Sequence, residues 1–572
     1  MANSSNIEVE LQGKGLAVLR PSDHVATGGE GSIYKIGNSV VKIYLDPVRM
    51  RQRGTPDKIT QLTQFKHPYI VAPTGLATAK KEVVGFYMPF VDNGHPMARV
   101  FTNEFWQKEG FDSKDATSLI SKMRDVFIYT HDHKALLVDP NELNWFVLKN
   151  GGVEPRVVDV DSWALGRWSP TVIMPSIRDH HTKQFSELTD WFSWGIVTFQ
   201  IYTGIHPYKG TLDGFNKFDF EARMKANASV FSHGIRLNAA VRNFSSIPKN
   251  LLDWYEATFQ KQERTKPPSP LEGVATPKAA LKQRTILTGT GKLVFEKLLN
   301  ISESVIRTFP CGVVLTQSKN IYDLQLKKKI GECKSKDCEI VQVQDGWLLA
   351  DWDNRVPEFK YINDRQFKAE LLTLNIKTSR YFRAQNRLFA IMEQGVSELQ
   401  VQMFGKPILA SGKFWNLMVN SSKWFDGVVI QDIMGAKFIT LPFGTDAVIS
   451  ERVKEIDHVQ IVNAKACGRF VALIGLDKKG NYRKIELTFS SDFSKYTAWE
   501  GQADNSELNV CILPKGVACS ITQDGELNIF VPTSGVLNKI SDKYIGTDFI
   551  LSHWGDVVIF IDNDSIWSVK MN

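Results

Sequence analysis

Asp139 and Asn144 are the residues of this sequence whose types and spacing point most directly to chemistry. They lie in the apolar segment LVDPNELNWFV, residues 137–147, where four residues separate the acid from the amide. A tight loop there would hold one carboxylate and one carboxamide close together. In phosphoryl transfer a carboxylate orients the attacking hydroxyl, and an amide oxygen helps to hold Mg²⁺. A bare D-x-x-x-x-N pattern often arises by chance, so its meaning depends on the neighbouring motifs.

A glycine cluster precedes two predicted strands near the start of the chain. Residues 26–36, ATGGEGSIYKI, lead from Gly28, Gly29 and Gly31 into an alternating strand, and a second strand, SVVKIY, follows at residues 39–44. Glycines at a hairpin tip let the backbone approach phosphate oxygens closely. Lys42 lies on the strand behind the tip, from where its ammonium group can reach the same oxygens. These residues are therefore candidates for binding a nucleotide.

Two further acids, Asp159 and Asp161, end the apolar strand in RVVDVDSW, residues 156–163. A strand that ends in an Asp-rich turn is common in itself. Together with Asp139 and Asn144, however, these acids form a set of oxygen donors suited to phosphate and metal chemistry. We therefore expect the two segments to meet at one site.

The two N-terminal strands resemble those of a protein kinase. In the kinase pattern G-x-G-x-x-G-x-V, Gly28 and Gly31 stand at the second and third glycines and Ile33 stands at the valine. The run Val40-Val41-Lys42 matches the V-A-I-K type strand, with Lys42 at its lysine. The resemblance thus adds Ile33 and Val40 to the predicted nucleotide-binding residues.

Three later segments extend the resemblance. Residues 189–208, TDWFSWGIVTFQIYTGIHPY, are similar to the protein-kinase helix whose acid, here Asp190, hydrogen-bonds the backbone of the catalytic loop. This helix favours a protein substrate. The run VGFYMP at residues 84–89 and the motif D-V-D-S in place of D-F-G resemble a bacterial group of Ser/Thr-kinase-like proteins.

The resemblance covers roughly residues 10–270 and implies ATP and Mg²⁺ as cofactors. It implies that Lys42 pairs with the α- and β-phosphates beneath the glycine hairpin, and that Asp139 accepts or orients the substrate hydroxyl. It further implies that Asn144 and Asp159 bind Mg²⁺, with Asp161 as a third candidate ligand. The activity implied is transfer of the γ-phosphoryl group of ATP to serine or threonine hydroxyls.

Several positions depart from the kinase pattern. Lys58 stands where a helix glutamate should pair with Lys42, which leaves Asp57 or another residue for that role. Two alternatives therefore stay open: an ATP-binding pseudokinase scaffold, and a small-molecule kinase, which is favoured by Asn141 in place of the usual lysine and by Asp161 in place of the glycine of D-F-G. The other departures are Ala26 for the first glycine, Leu137-Val138 for His-Arg, and Ser176 for the glutamate of A-P-E, whose usual arginine partner would be Arg264.

Composition and charge exclude some classes of protein. The sequence is 43% hydrophobic and 23% charged, a composition typical of globular domains. With 572 residues the chain is too long for a single hydrophobic core. The net charge of +7 is dispersed, so it does not favour a nucleic-acid partner. No segment has the length and apolarity of a membrane span or a signal peptide, so we expect a cytoplasmic protein without membrane contact. All six cysteines lie in the second half, where we expect reduced thiols.

The second half of the sequence changes character after a region rich in Pro, Gly, Thr and Lys. Helical periodicity gives way to short strand-like runs, each associated with a turn residue at intervals of 34 to 48 residues: Gly312, Gly346, Asn386, Gly427, Gly468, Gly516 and Gly555. A strand-only repeat of about 40 residues is typical of a β-propeller. Seven units predict seven blades; a pair of β-sandwiches is the alternative.

The predicted fold is thus multidomain, with an α+β bilobal protein-kinase-like domain at residues 10–268, a linker at 269–290 and an all-β propeller at 291–572. Because propeller surfaces usually bind partners, we expect the second domain to recruit a protein substrate or a protein partner.

Overall fold

The computed structural model of the protein describes residues 6–149, 151–170, 173–272, 293–353, 356–443, 447–514, 516–531, 536–542 and 545–571. Most of the predicted linker and the predicted domain boundary at residue 291 lie outside these residues. A mixed α+β region precedes this gap and an all-β region follows it. None of the helices in the described ranges is both long and apolar enough to cross a membrane.

The first part of the α+β region is one antiparallel sheet of seven strands. The strands are β1 (Ile7–Leu11), β2 (Gly15–Leu19), β3 (His24–Thr27), β4 (Gly31–Ile36), β5 (Ser39–Tyr44), β6 (Gly75–Ala79) and β7 (Glu82–Pro89), in the order β2-β1-β6-β7-β5-β4-β3. Two short helices, α1 (Pro47–Gln52) and α2 (Thr55–Leu62), connect β5 to β6. β5 thus lies between β4 and β7, and its Val40 and Val41 are buried.

The second part of the α+β region is mainly helical. Its helices are α3 (Met97–Val100), α4 (Asn103–Glu109), α5 (Ser113–Asp132), α6 (Glu187–Thr203), α7 (Phe220–Lys225) and α8 (Lys249–Gln260). The short strands are β8 (His95–Pro96), β9 (Ala135–Leu136), β10 (Trp145–Lys149), β11 (Val153–Val157) and β12 (Ala164–Leu165). They form the small sheets β11-β10-β8 and β12-β9.

The central helices α5 and α6 begin and end where local chemistry dictates. The Asp112 carboxylate accepts hydrogen bonds from the backbone amides of Lys114 and Asp115, and so satisfies free donors at the start of α5. Gly204 ends α6 with a φ of 76°, a conformation that glycine adopts easily. From Asp190 onward α6 is buried on all sides, which is typical of a helix inside the core of a large domain.

The all-β region consists, within the described residues, of seven antiparallel sheets of four strands each. The strands of the first three sheets are β14 (Val305–Thr308), β15 (Val313–Thr316), β16 (Asn320–Asp323) and β17 (Lys328–Glu332); β18 (Glu339–Val343), β19 (Gly346–Asp353), β20 (Val356–Asn363) and β21 (Ala369–Leu372); β22 (Arg380–Ala384), β23 (Arg387–Met392), β24 (Gly395–Phe404) and β25 (Lys406–Asn416). The strands of the next three are β26 (Ser422–Phe425), β27 (Val428–Ile433), β28 (Ala436–Phe443) and β29 (Ala447–Arg452); β30 (Gln460–Cys467), β31 (Phe470–Leu476), β32 (Tyr482–Phe489) and β33 (Tyr496–Ala503); β34 (Val510–Ile512), β35 (Ala518–Ile521), β36 (Leu527–Val531) and β37 (Val536–Ile540). The last sheet contains β13 (Leu293–Asn300), β38 (Ile550–Trp554), β39 (Val557–Asp562) and β40 (Ser565–Met571).

The predicted repeat agrees with these sheets. Each of the seven predicted turn residues lies in or next to the turn between two successive strands of one sheet: Gly312 lies between β14 and β15, Gly346 is the first residue of β19, and Gly555 lies between β38 and β39. The sequence period is therefore one four-stranded sheet. The six cysteines, all in this region, are free thiols as expected.

Two kinds of contact connect neighbouring sheets. β13, the first strand of the region, pairs with β40, the last. A chain of ion pairs joins residues in, or directly after, the first strands of successive sheets: Arg307 to Glu339 at 2.6 Å, Glu339 to Arg383 at 2.6 Å, and Arg383 to Asp426, which directly follows β26, at 2.5 Å. Because Arg383 is buried, the acids on both sides compensate a charge that water does not reach.

The two regions contact each other through buried polar groups. The contacts come from loops at the end of the sheets opposite the glycine turns, where residues before the first strands and between the second and third strands meet the α+β region. The hydrogen bonds join Tyr482 Oη to Glu142 Oε1 (3.0 Å), Lys209 Nζ to the Asp504 carbonyl (2.9 Å), Asn505 Nδ2 to the Gly204 carbonyl (2.9 Å) and His24 Nδ1 to Ser421 Oγ (2.7 Å). The all-β region thus contacts both the seven-stranded sheet and the helical part.

Candidate active site

The predicted glycine tip connects β3 to β4 in a tight hairpin. The Gly28 amide donates a hydrogen bond of 2.9 Å to the Gly31 carbonyl. A Cβ atom at Gly31 would lie 2.8 Å from the Ile43 carbonyl oxygen, so that position accepts only glycine without a backbone shift. Gly29 has open space around it. The hairpin therefore exposes backbone beside the strand that carries Lys42.

Lys42 lies on β5 directly opposite Ile33 of β4, and its side chain is buried. Its Nζ atom donates to Asp159 Oδ1 at 2.9 Å, and to Asp161 Oδ2 at 2.7 Å and Oδ1 at 3.0 Å. Burial alone would lower the pKa of the Lys42 ammonium, but the charges of Asp159 and Asp161 raise it. Lys42 is therefore charged at neutral pH. Val40, also predicted here, is buried on the same strand.

Asp159 and Asp161 differ sharply in their surroundings. The Asp159 side chain is 39% exposed and the Asp161 side chain is 2% exposed. Burial would raise the pKa of Asp159, but the Lys42 ammonium lowers it, so this acid is ionised at neutral pH. Asp161 also accepts a hydrogen bond of 2.8 Å from Tyr44 Oη. Solvent therefore reaches the Asp159 carboxylate, whereas Asp161 is enclosed by protein.

The partner of Lys42 that the sequence left open is Asp161. Asp57 lies on α2 and contacts Arg167 at 3.2 Å, with both side chains exposed, so it does not replace the missing helix glutamate. Lys58, the residue at the glutamate position, is buried and donates a hydrogen bond of 2.6 Å to the Asp161 carbonyl. No local pattern in the sequence marks Asp161 for this role, because Lys58 and Asp161 lie 103 positions apart.

The Asp190 carboxylate holds the loop that carries Asp139. Its Oδ2 accepts from the Leu137 amide at 2.8 Å, and its Oδ1 accepts from the Val138 amide at 2.9 Å. The prediction that Asp190 binds the backbone of this loop is therefore confirmed. Val138 has a φ of 65°, which costs a β-branched residue about 1–3 kcal/mol, and the two charged hydrogen bonds offset this strain.

Asp139 and Asn144 are adjacent, as their spacing predicts. Asn144 Nδ2 donates to the Asp139 carbonyl oxygen at 2.8 Å, and Asp139 Oδ1 accepts from the Met174 amide at 3.0 Å. The Val158 amide donates to the Asn144 carbonyl at 2.9 Å, which brings the strand before Asp159 alongside Asn144. Burial raises the pKa of Asp139 to about 6, although the Met174 amide lowers it. Asp139 is therefore a carboxylate whose protonation changes just below neutral pH.

The ion pair expected for Arg264 has a different partner from the one in the kinase pattern. Arg264 Nε donates to Asp179 Oδ2 at 2.6 Å and Nη2 donates to Asp179 Oδ1 at 3.1 Å. Ser176, at the glutamate position, is buried and its hydroxyl has no hydrogen-bond partner in the structure. Asp179 therefore supplies the acid three residues later than the pattern indicates.

The oxygen donors available to a divalent cation are Asn144 and Asp159. Mg²⁺ usually keeps several waters and binds one or two protein oxygens together with phosphates, so this pair fits it. Among the residues that the structure describes, three or more His, Cys, Asp or Glu side chains nowhere converge to form a metal site. A metal held by protein side chains alone is therefore not indicated there.

No protein-family model matches the sequence, and no curated protein matches it. Any activity of the protein must therefore be inferred from the residues of the site.

Proposed function

We propose that this protein is an ATP-dependent kinase that transfers the γ-phosphoryl group to serine or threonine hydroxyls of a protein. The observation that carries the proposal is the contact of 2.9 Å between Lys42 Nζ and Asp159 Oδ1. A cation beneath a glycine hairpin and an acid at the end of a strand beside Asn144 are the groups that bind the phosphates and the metal of a nucleotide. The α+β region would then be a bilobal kinase-like domain.

Each residue of the site has a role in this proposal. The backbone at Gly28–Gly31 covers the phosphates, with Ile33 and Val40 on the strands behind it, and Lys42 moves from Asp159 to the phosphate oxygens when ATP enters. Asn144 and Asp159 would hold Mg²⁺, which when bound neutralises charge on the phosphates. Asp139 orients the acceptor hydroxyl and takes its proton. Catalysis is then mostly positioning and electrostatic stabilisation.

We also propose that the seven sheets form one closed β-propeller with a protein partner. The pairing of β13 with β40 supports closure, because a propeller commonly joins its first and last strands in one blade. The ion pairs that link successive sheets support it too. Since the α+β region covers one end of the sheets, a recruited partner has the end with the glycine turns available.

The test is phosphoryl transfer from radiolabelled ATP with Mg²⁺ to the protein itself and to a peptide library, with a metabolite panel in parallel. Asp139→Asn and Asp159→Asn are compared with the control Asp213→Asn, which changes a carboxylate that is 89% exposed on its side chain. We expect transfer to peptides that both site variants lose and the control keeps. Transfer only to metabolites would show that the substrate is a small molecule and not a protein. An absence of ATP binding would overturn the proposal.

One observation favours a second candidate, an ATP-binding scaffold. In this structure the Asp139 carboxylate is bonded to the Met174 amide, and Gly480 of the all-β region packs against the nearby Ser176. An acceptor polypeptide would compete with this contact. Mg²⁺-dependent ATP binding without transfer to any acceptor would identify the scaffold.

A further inference from the structure

We infer that Asp161 is the residue that positions Lys42. Asp159, in contrast, gives up its contact with Lys42 when nucleotide binds, and its carboxylate then binds the metal. The role of these two acids in catalysis rests on the proposed function. The contacts that support the inference, however, are made by the protein alone. The inference separates Asp159, which the sequence analysis assigns to Mg²⁺, from Asp161, the additional candidate ligand.

Both carboxylate oxygens of Asp161 already accept hydrogen bonds. Both of its carboxylate oxygens lie within 3.0 Å of Lys42 Nζ, and Oδ2 also accepts the Tyr44 hydroxyl at 2.8 Å. A cation that bound Asp161 would have to displace Lys42 and Tyr44 from a side chain that is 2% exposed. Leaving the Lys42 charge without its buried partner would be strongly unfavourable. Asp161 is therefore a structural counter-ion of Lys42.

Asp159 has the opposite properties. Only its Oδ1 contacts Lys42, and its side chain is 39% exposed. Moving Lys42 from Asp159 to a phosphate leaves the ammonium still paired with Asp161. Asp159 is then free to bind a cation beside Asn144 without creating an unpaired buried charge.

Lys58 explains why the counter-ion lies on this segment and not on α2. Its buried ammonium donates a hydrogen bond of 2.6 Å to the Asp161 carbonyl and so fixes the backbone that carries the acid. An acid on α2 would have faced Lys42 directly. Here α2 contributes the cation Lys58, and the segment after β11 contributes the acid Asp161. In the kinase pattern the acid lies on the helix instead.

The test measures how fast an amine-acylating reagent labels Lys42 in the full chain without nucleotide, at one alkaline pH, by mass spectrometry. Only the neutral amine reacts, so a counter-ion protects Lys42, and one pKa unit corresponds to about a tenfold change in rate. We expect labelling to rise about tenfold or more in Asp161→Asn and less in Asp159→Asn. Lys35, on the neighbouring strand β4, is the reference within each sample.

Two further variants separate positioning from a general loss of structure. Tyr44→Phe removes one donor to Asp161 and keeps the acid, so it should raise labelling only slightly. Lys58→Glu combined with Asp161→Asn returns an acid to α2, and it should restore protection. Equal labelling of the Asp159→Asn and Asp161→Asn proteins, or unchanged labelling in Asp161→Asn, would overturn the inference.

ATP binding by the same proteins distinguishes this inference from the proposed function. In Asp159→Asn the affinity for ATP should no longer increase when Mg²⁺ is added. In Asp161→Asn the affinity for ATP should be lower than in the wild type, both with and without Mg²⁺. Loss of the Mg²⁺ effect in Asp161→Asn alone would make Asp161 the metal ligand and overturn the inference. A wild-type protein that binds no ATP would refute the kinase, and the labelling would still decide which acid positions Lys42.

Discussion

Lys42 of the seven-stranded sheet and Asp161 of the helical part, which lie 119 positions apart in the sequence, meet at 2.7 Å. Neither side chain is more than 7% exposed, so water contributes little to stabilising either charge. Each of the two buried charges is therefore stabilised mainly by the other. The stability of the site and its proposed chemistry depend on the same ion pair.

Lys42→Met should abolish phosphoryl transfer and also destabilise the protein. Removing the cation leaves Asp159 and Asp161 without their partner, at a cost of about 3–5 kcal/mol in the free energy of unfolding at neutral pH. Because Lys42 lowers the pKa of Asp159, the stabilisation is present above the ordinary carboxyl pKa of about 4 and is lost as pH falls. The cost, measured by chemical denaturation, should therefore shrink below about pH 4. Lys35→Met is the control, and an equal loss there would contradict the prediction.

Asp190→Asn should loosen the loop that carries Asp139. The Asp190 carboxylate accepts from two backbone amides, and hydrogen bonds to charged groups contribute about 1.5–3 kcal/mol. An amide can keep only one acceptor oxygen for these two donors. We expect a loss of about 2–3 kcal/mol in the free energy of unfolding, against about 0.5 kcal/mol or less for the exposed Asp213→Asn. A loss no greater than that of the control would show that Val138 keeps its conformation without the carboxylate.

The pH dependence of activity should report the ionisation of Asp139. Its pKa is raised to about 6 by burial, and only the carboxylate can accept the hydroxyl proton. Since the acid is protonated below its pKa, kcat/KM should rise with pH up to about 6 and level off above it. Steady-state rates between pH 5 and 8 measure this. A profile that stays flat through this range would exclude Asp139 as the base.

Gly480→Ala should weaken the contact between the two regions. Gly480 has a φ of 83°, and a Cβ atom there would overlap with the Ser176 side chain. Gly435→Ala is a matched control, because Gly435 also has a φ of 83° and has open space around it. Both variants pay the backbone cost of a positive φ, so the difference between their thermal midpoints reports the collision alone.

A second substitution checks the origin of that difference. Ser176→Gly removes the side chain that the added methyl group would overlap with, so it should return the midpoint of the Gly480→Ala protein toward that of the Gly435→Ala protein. If the midpoint of the double variant stays low, the contact with Ser176 is not the cause.

Local patterns in the sequence predicted much of what the structure contains. The spacing of Asp139 and Asn144, the glycine hairpin before Lys42 and the turn residues from Gly312 to Gly555 are all encoded within short stretches of chain. Turn chemistry and strand alternation depend on neighbouring residues, so a single sequence is enough to recognise them. The helix of Asp190 and its contact with the loop were predicted differently, from the resemblance of residues 189–208 to a protein-kinase helix.

The pairings across the chain were decided by tertiary structure alone. Asp161 and not Asp57 pairs with Lys42, Asp179 pairs with Arg264, and Tyr482 of the all-β region bonds to Glu142 beside Asp139. In each case several acids or donors of the same type were available, and nothing local distinguished them. A buried charge takes whichever opposite charge the packing brings within about 3 Å, and that choice exists only after the elements have packed.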